Sequence, residues 1–187
     1  MIDNKLVDKI AWWIPNKNIR NLLREYCNSL NNIEYNLNNS LEYINSILKS
    51  QFENSITHFS VFNPYGNAGD NILVTSLRDE IDKFSNKSYV YVHRNVRDKI
   101  SDEVISIANQ TKCIIIGGGG LFLKDTNANE VSGWQFPISI NSIDKIKVPL
   151  FLVAVGYNRF RSQDDFEPYF KDNINKIAEK SIFIGLR

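Results

Sequence analysis

From residue 56 onward, short runs of β-branched and aromatic residues alternate with stretches of helical periodicity, and this alternation restricts the possible folds more than any other feature. "ITHFSVF", "SYVYVH", "KCIII", "VPLFLVAV" and "SIFIG" read as five strands. Between them, Ile72, Leu73, Leu77 and Ile81 share one face over residues 70–84, and Phe170, Ile174 and Ile177 do so over residues 166–180. Strands apolar at nearly every position, such as residues 148–155, belong in a parallel sheet covered on both faces. Right-handed crossovers then predict an α/β fold, a Rossmann-like doubly wound parallel sheet.

Residues 1–52 have a different texture and read as a helical N-terminal extension. Leu6, Ile10 and Ile14, then Ile33, Leu37, Leu41, Ile44 and Leu48, recur at helical spacings. Pro15 divides the two patterns, and the asparagine-rich "NSLNN" of residues 28–32 reads as a second break. Residues 53–187 form the Rossmann-like domain. The sequence given stops just after its fifth strand, where ligand-binding loops are expected, so the chain reads as half of a two-domain enzyme whose C-terminal partner domain lies beyond Arg187.

Charge and cysteine content narrow the function classes. A formal charge of +1 and a pI near 7.7 provide no basic field for nucleic acid. Two cysteines, Cys27 and Cys113, suggest neither a disulfide framework nor a thiolate metal site, and no metal is expected. No signal core and no run of about 18 apolar residues is seen, which points to a cytoplasmic protein.

Chemistry concentrates in two glycine-rich segments that follow strands, "YGNAGD" and "GGGGLF". Both are expected as turns at the carboxyl edge of the sheet, facing one crevice. Glycine permits positive φ there and lets a ligand approach backbone N–H groups, and a helix amino terminus adds donors for phosphate, carboxylate or sugar oxygens. A dinucleotide fingerprint requires G-x-G-x-x-G and an acid after the second strand, but the first turn has only Gly66 and Gly69, and the second strand ends in His93 and Arg94. A Walker loop fails for want of Gly-Lys-Ser/Thr.

Gly66, Asn67, Gly69 and Asp70 resemble the first turn (G-N-x-G-D) of the bacterial polysaccharide pyruvyl transferases, and Gly117, Gly118, Gly119, Gly120, Leu121 and Phe122 resemble their second (G-G-G-x-L/F), about 48 residues on. "VPLFLVAVGYN" and "SIFIGLR" are similar to later strands of that family, so the resemblance covers residues 56–187 as an amino-terminal half. Ala68 and Asn71 depart from the family's usual branched aliphatic and acidic residues. The resemblance implies one half of a GT-B-like architecture and transfer of pyruvate from phosphoenolpyruvate, the donor substrate, to two hydroxyls of a surface-polysaccharide sugar as a ketal. No cofactor is implied. Much of the donor site would come from the other half, so this segment is expected to be inactive alone. The alternatives are a GT-B glycosyltransferase using a nucleotide-sugar donor and a non-catalytic glycan- or protein-binding domain.

"KIAWWIPNKNIRNLLREY" further resembles amino-terminal segments of bacterial capsule and lipooligosaccharide glycosyltransferases. Trp12 and Trp13, with Lys9, Lys17, Arg20 and Arg24, would seat residues 1–24 at the inner membrane face, where a lipid-linked glycan acceptor is made. The core of the Rossmann layer is the competing location for both tryptophans.

Individual site candidates carry two readings each. Asp70 is a general base or hydrogen-bond acceptor for a sugar hydroxyl, or the N-cap of a helix beginning at Asn71. Its carboxylate favours sugar over phosphate at this turn. Gly66, Asn67, Gly69 and Asn71 are substrate-contacting positions, although Asn67 also suits a left-handed turn. Gly117, Gly118, Gly119 and Gly120 serve close backbone approach. His93 is an acid/base candidate or incidental, and His58 is structural. Arg159 and Arg161 are candidates for binding phosphate or carboxylate, or surface partners of Asp164 and Asp165. Trp134 and Gln135 form a sugar platform or pack in the core.

Overall fold

The computed structural model describes residues 2–124, 129–158 and 164–187. The chain divides into two compact units, Met1–Lys49 and Ser50–Arg187.

In the first unit, α1 (Asn4–Trp12) begins where the Asp3 carboxylate accepts the Lys5 amide at 2.8 Å. Pro15 ends that path, and Asn16 restarts it by capping α2 (Lys17–Glu53) through the Asn18 amide at 2.9 Å. The Arg24 guanidinium meets Asp8 at 2.7 Å, and Asn31 both accepts the Ile2 amide and donates to the Ile2 carbonyl. Helix α1 therefore lies antiparallel to the first half of α2, burying Val7, Ala11 and Cys27. The break expected at residues 28–32 does not occur. Asparagine costs a helix only tenths of a kcal/mol relative to average residues, and here Asn31 is recruited to anchor the start of α1.

The second unit is an all-parallel five-stranded sheet, β1 (Ser55–Ser60), β2 (Val90–Asn95), β3 (Ile114–Phe122), β4 (Leu150–Tyr157) and β5 (Ser181–Leu186), in the order β2-β1-β3-β4-β5. Helices α3 (Ala68–Ser85), α4 (Asp102–Ala108), α5 (Ile140–Asp144) and α6 (Pro168–Lys180) connect the strands. The α/β class and parallel sheet read from sequence are those of the structure, and the order is that of a Rossmann-like layer.

Phe59, Ile114, Ile116, Leu150 and Leu152 face α4, α5 and α6, forming the main core with Ile105, Ile143 and Ile177. The opposite face carries α3, which ends at Asn86 in the left-handed conformation (φ 51°). Beside α3, Ile56, Leu77, Ile81, Cys113, Ile115, Phe151, Val153 and Phe183 line an apolar recess of about 360 Å³. Strands β1 and β3 are buried along both faces as expected, but β4 is only partly so, and Ile182, Phe183 and Leu186 of β5 are exposed.

"GGGGLF" is not a turn. Strand β3 runs through it to Phe122, which pairs with Tyr157 of β4 after a shift in register. Gly117 (φ 152°) and Gly118 (φ 84°) lie in backbone regions that side chains rarely adopt. Across from them Ala154 sits at φ 54°, between the Val153 and Val155 pairings where the register with β5 shifts, a bulge of the kind found next to functional edges.

A β-carbon on Gly117 would lie 1.7 Å from the Val153 carbonyl oxygen. Gly117→Ala is expected to cost about 3 kcal/mol or more, measured as a fall in the urea midpoint or loss of folded protein. Ala154→Gly should raise stability by up to about 1 kcal/mol by relieving the left-handed cost. An unshifted midpoint for Gly117→Ala would contradict the packing described.

Candidate active site at the carboxyl edge of the sheet

In an open parallel sheet a crevice forms where neighbouring strands send their connections to opposite faces. Here β1 and β3 flank that point, and the connection leaving β1 is the turn that leads into α3. The Gly66 amide bonds the Asn63 carbonyl at 2.8 Å, and the Tyr65 amide bonds Asn63 Oδ1 at 3.0 Å. Asn71 closes the loop from the helix side, its Oδ1 accepting the Asn63 amide at 3.0 Å and its Nδ2 donating to the Asn63 carbonyl at 2.7 Å. The Asn71 side chain thus holds the turn closed.

Asn67, at φ −64°, is the N-cap of α3, with Oδ1 accepting the Gly69 amide at 2.8 Å. It is not left-handed, and Asp70 is not the cap. Gly66 and Gly69 do not have positive φ; a β-carbon would lie 3.1 Å from Asn63 Cβ at the first and 3.3 Å from Asn67 Oδ1 at the second, so tight closure is what favours glycine. With Asn67 as cap, Asp70 falls in the first turn of α3, where the helix dipole favours a carboxylate. It is half-buried, and its side chain makes no hydrogen bond among the described residues.

The two glycine segments meet here. A β-carbon on Gly119 would lie 3.5 Å from Asp70 Oδ1 and 2.6 Å from Val61 Cγ2, and one on Gly118 would lie 2.6 Å from Val74 Cγ2. The bare backbone of Gly117, Gly118 and Gly119 is thus approached by the chain's own atoms, in place of the ligand approach expected of it. Further along the edge, a β-carbon on Gly120 would meet Asn158 Nδ2 at 2.6 Å, and one on Gly156 would meet Arg187 Nε at 3.0 Å and the Gly120 Cα at 3.4 Å. Asp70, Gly119, Gly120, Asn158, Gly156 and Arg187 therefore form a continuous edge, with a carboxylate at one end and a guanidinium at the other.

Asn158 and Arg187 were missed in the sequence. The available signal was position: each directly follows a strand at its carboxyl end. Arg159 and Arg161 lie outside the described residues.

Trp134 offers no sugar platform. It is buried between Phe122 and Phe136, with Nε1 donating to Asn173 Oδ1 at 2.8 Å. Gln135 is also buried, donating to the Leu123 carbonyl at 2.8 Å and accepting from Arg97 at 3.1 Å.

His93 is inside β2, paired in register with His58 of β1, and packs edge-on against Phe62 at 5.6 Å between ring centres. Burial, then the nearby Arg78 charge, lowers its pKa and so favours the neutral imidazole. Arg78 stacks over Phe62 and Tyr91 and donates from Nε to His58 Nδ1 at 3.2 Å. His58 is fully buried, and burial, followed by the Arg78 charge, pushes its pKa down from 6.5 to about 3. Arg78 Nη2 and both histidine Nε2 atoms lack a well-formed hydrogen bond, although the Gly117 and Ser60 backbones lie close enough to raise the pKa of His58 and His93 respectively. The structural role expected of His58 agrees with this environment.

Among the described residues, no three His, Cys, Asp or Glu side chains gather as a metal site, and no helix is long and apolar enough to cross a membrane. No family model, curated protein or solved structure matches the chain.

Because the unfolded chain binds a proton at His58 near pH 6.5 and the folded chain does so only near pH 3, its contribution to stability is complete above 6.5 and declines as pH falls toward 3. About 2 kcal/mol should be lost between pH 7.5 and 5 from this group. His58→Asn, which retains an acceptor for Arg78, should flatten the urea midpoint over that range; an unchanged pH profile would assign the effect to other groups.

Proposed function

We propose that this chain carries the acceptor side of a polysaccharide pyruvyl transferase, in a Rossmann-like domain that forms one half of a GT-B-like enzyme. The observation that carries the reading is the 3.5 Å approach of Asp70 Oδ1 to the β-carbon position of Gly119, which joins the two segments that resemble that family. A half-buried carboxylate with no hydrogen bond among the described residues suits a hydroxyl donor and repels phosphate. Sugar hydroxyls are therefore the ligand of choice beside Asp70, and the anionic donor belongs toward Arg187 and a further, cationic half of the enzyme.

In the reaction, a general acid contributed by the further half of the enzyme protonates the enol methylene of phosphoenolpyruvate to a methyl group, and a sugar hydroxyl adds to C2. Asp70 takes the proton of that hydroxyl. Phosphate then leaves with the electrons of its C2–O bond, and a second hydroxyl of the same sugar closes the ketal and releases its proton. His93 and His58, paired across β1 and β2, lie on that side of the turn.

Asp70→Asn keeps the shape and the helix start. In the full-length gene product, supplied with phosphoenolpyruvate and the glycan acceptor, it is expected to lower kcat/KM at least about 100-fold, while the urea midpoint falls by no more than the roughly 0.3–1 kcal/mol of the lost helix-dipole interaction. Absence of both phosphate release and ketal formation in the unsubstituted protein would exclude pyruvyl transfer, and turnover of a nucleotide sugar would support a glycosyltransferase instead.

We further infer a cytoplasmic enzyme working at the inner membrane face on a lipid-linked acceptor. Trp12 and Trp13 are 75% and 83% exposed, next to Lys9, as interfacial aromatic anchors are. Replacing both with alanine should weaken co-sedimentation with phosphatidylethanolamine–phosphatidylglycerol vesicles at least about tenfold, or about 1.4 kcal/mol; equal binding by both proteins would remove this contact.

A further inference from the structure

Helix α2 carries a repeat that its packing within the first unit does not use. Ile19, Leu22 and Tyr26 are followed 11 residues later by Leu30, Ile33 and Leu37, and 11 residues later again by Leu41, Ile44 and Leu48. Steps of three, four and four residues return the apolar positions to one face every 11 residues, or 3.67 per turn. That period nearly matches the 3.6 of a straight helix, so the nine residues form one unbroken stripe.

All nine are exposed, from 36% at Leu30 to 70% at Leu22. Helix α1 does not cover them. Its contacts reach Arg24 and Asn31, and it buries Cys27, all on the neighbouring face of α2.

We propose that the stripe is a homodimer interface, in which α2 of one copy packs antiparallel on α2 of a second as a nearly straight, slightly right-handed pair. The repeat is its own complement, as a two-fold interface requires. Ridges spaced at three and four residues on one copy fit the same spacing on the other.

Charge decides the direction. Residues 17–24 carry Lys17, Arg20 and Arg24 with no acid, whereas residues 25–53 carry Glu25, Glu34, Glu42 and Glu53 against the single Lys49. A parallel pair would set the basic ends side by side. An antiparallel pair sets each basic end against an acidic one and opposes the helix dipoles. The same distribution argues against a lipid surface as the occupant, because α2 has equal numbers of acids and bases and its polar face is rich in asparagine and serine, not lysine and arginine.

The size is that of a modest interface. At about 1.5 Å per residue the 30 residues from Ile19 to Leu48 span roughly 45 Å, and a face about 10 Å wide gives about 450 Å² per copy. Roughly 900 Å² in total lies at the low end of specific interfaces, close to the approximately 1,000 Å² that marks them. The inference is independent of the reaction assigned to the second unit.

Sedimentation equilibrium of the full chain at about 10 μM is expected to give a dimer. Ile33→Glu with Leu37→Glu should give a monomer with unchanged far-UV circular dichroism, while Asn28→Glu with Asn39→Glu, on the opposite face, should leave the dimer intact. In a background with Cys27→Ser and Cys113→Ala, Leu22→Cys combined with Ile44→Cys should form an intermolecular disulfide that Leu22→Cys alone does not. An unsubstituted chain that remains monomeric at 100 μM overturns the proposal, as does a monomer bound to phosphatidylglycerol vesicles through the stripe. Crosslinking of Leu22→Cys alone overturns the antiparallel pairing.

Discussion

Strand β3 can lie against α3 and β4 only because four consecutive residues lack side chains. A β-carbon on Gly117 would fall 1.7 Å from the Val153 carbonyl oxygen, and one on Gly118 would fall 2.6 Å from Val74. Removing those carbons lets the first turns of α3 settle on the strand and carries β3 past the ordinary end of its apolar segment to Phe122. The position of Asp70 follows from this contact, as does the pairing of Phe122 with Tyr157 that places Asn158 at the edge. Close backbone packing and the shape of the crevice are thus one constraint, expressed at both ends of the glycine run.

The crevice is electrostatically graded. Asp70 lies at the β1–β3 end, favoured by the first turn of α3, and Arg187 lies beside Gly156 at the β4–β5 end. Behind the turn, two imidazoles are held neutral by burial and by Arg78. Arg78 is itself embedded between Phe62 and Tyr91, so its charge serves the packing of α3 on β2 more than any ligand in the crevice. The carboxyl edge of the sheet therefore carries opposite charges at its two ends.

Several features were legible because they depend on neighbours within a few residues. The alternation of strand and helix patterns yielded the α/β class and the parallel sheet, and Pro15 separated α1 from α2. Other readings failed where distant contacts decide. "NSLNN" has the composition of a break, yet Asn31 is used to tether Ile2 and the helix continues. "GGGGLF" has the composition of a turn, yet β4 offers it partners and it remains a strand. Trp134 was equally suited to a surface platform and a core; the Asn173 carboxamide and the rings of Phe122 and Phe136 settled it in the core.

The sequence by itself determined the five strands and the helices α3 and α6, the location of the first glycine segment after a strand, and the charge balance, because each follows from local periodicity, backbone permissiveness or simple composition. Tertiary structure decided that Asn67 and not Asp70 caps α3, that Asn71 closes the turn, that His93 is packed inside a strand, and that the α2 stripe is exposed. The physical reason is common to all four. A side chain's hydrogen-bond partner and burial are set by whatever the fold brings to it from elsewhere in the chain, and local pattern carries no record of that.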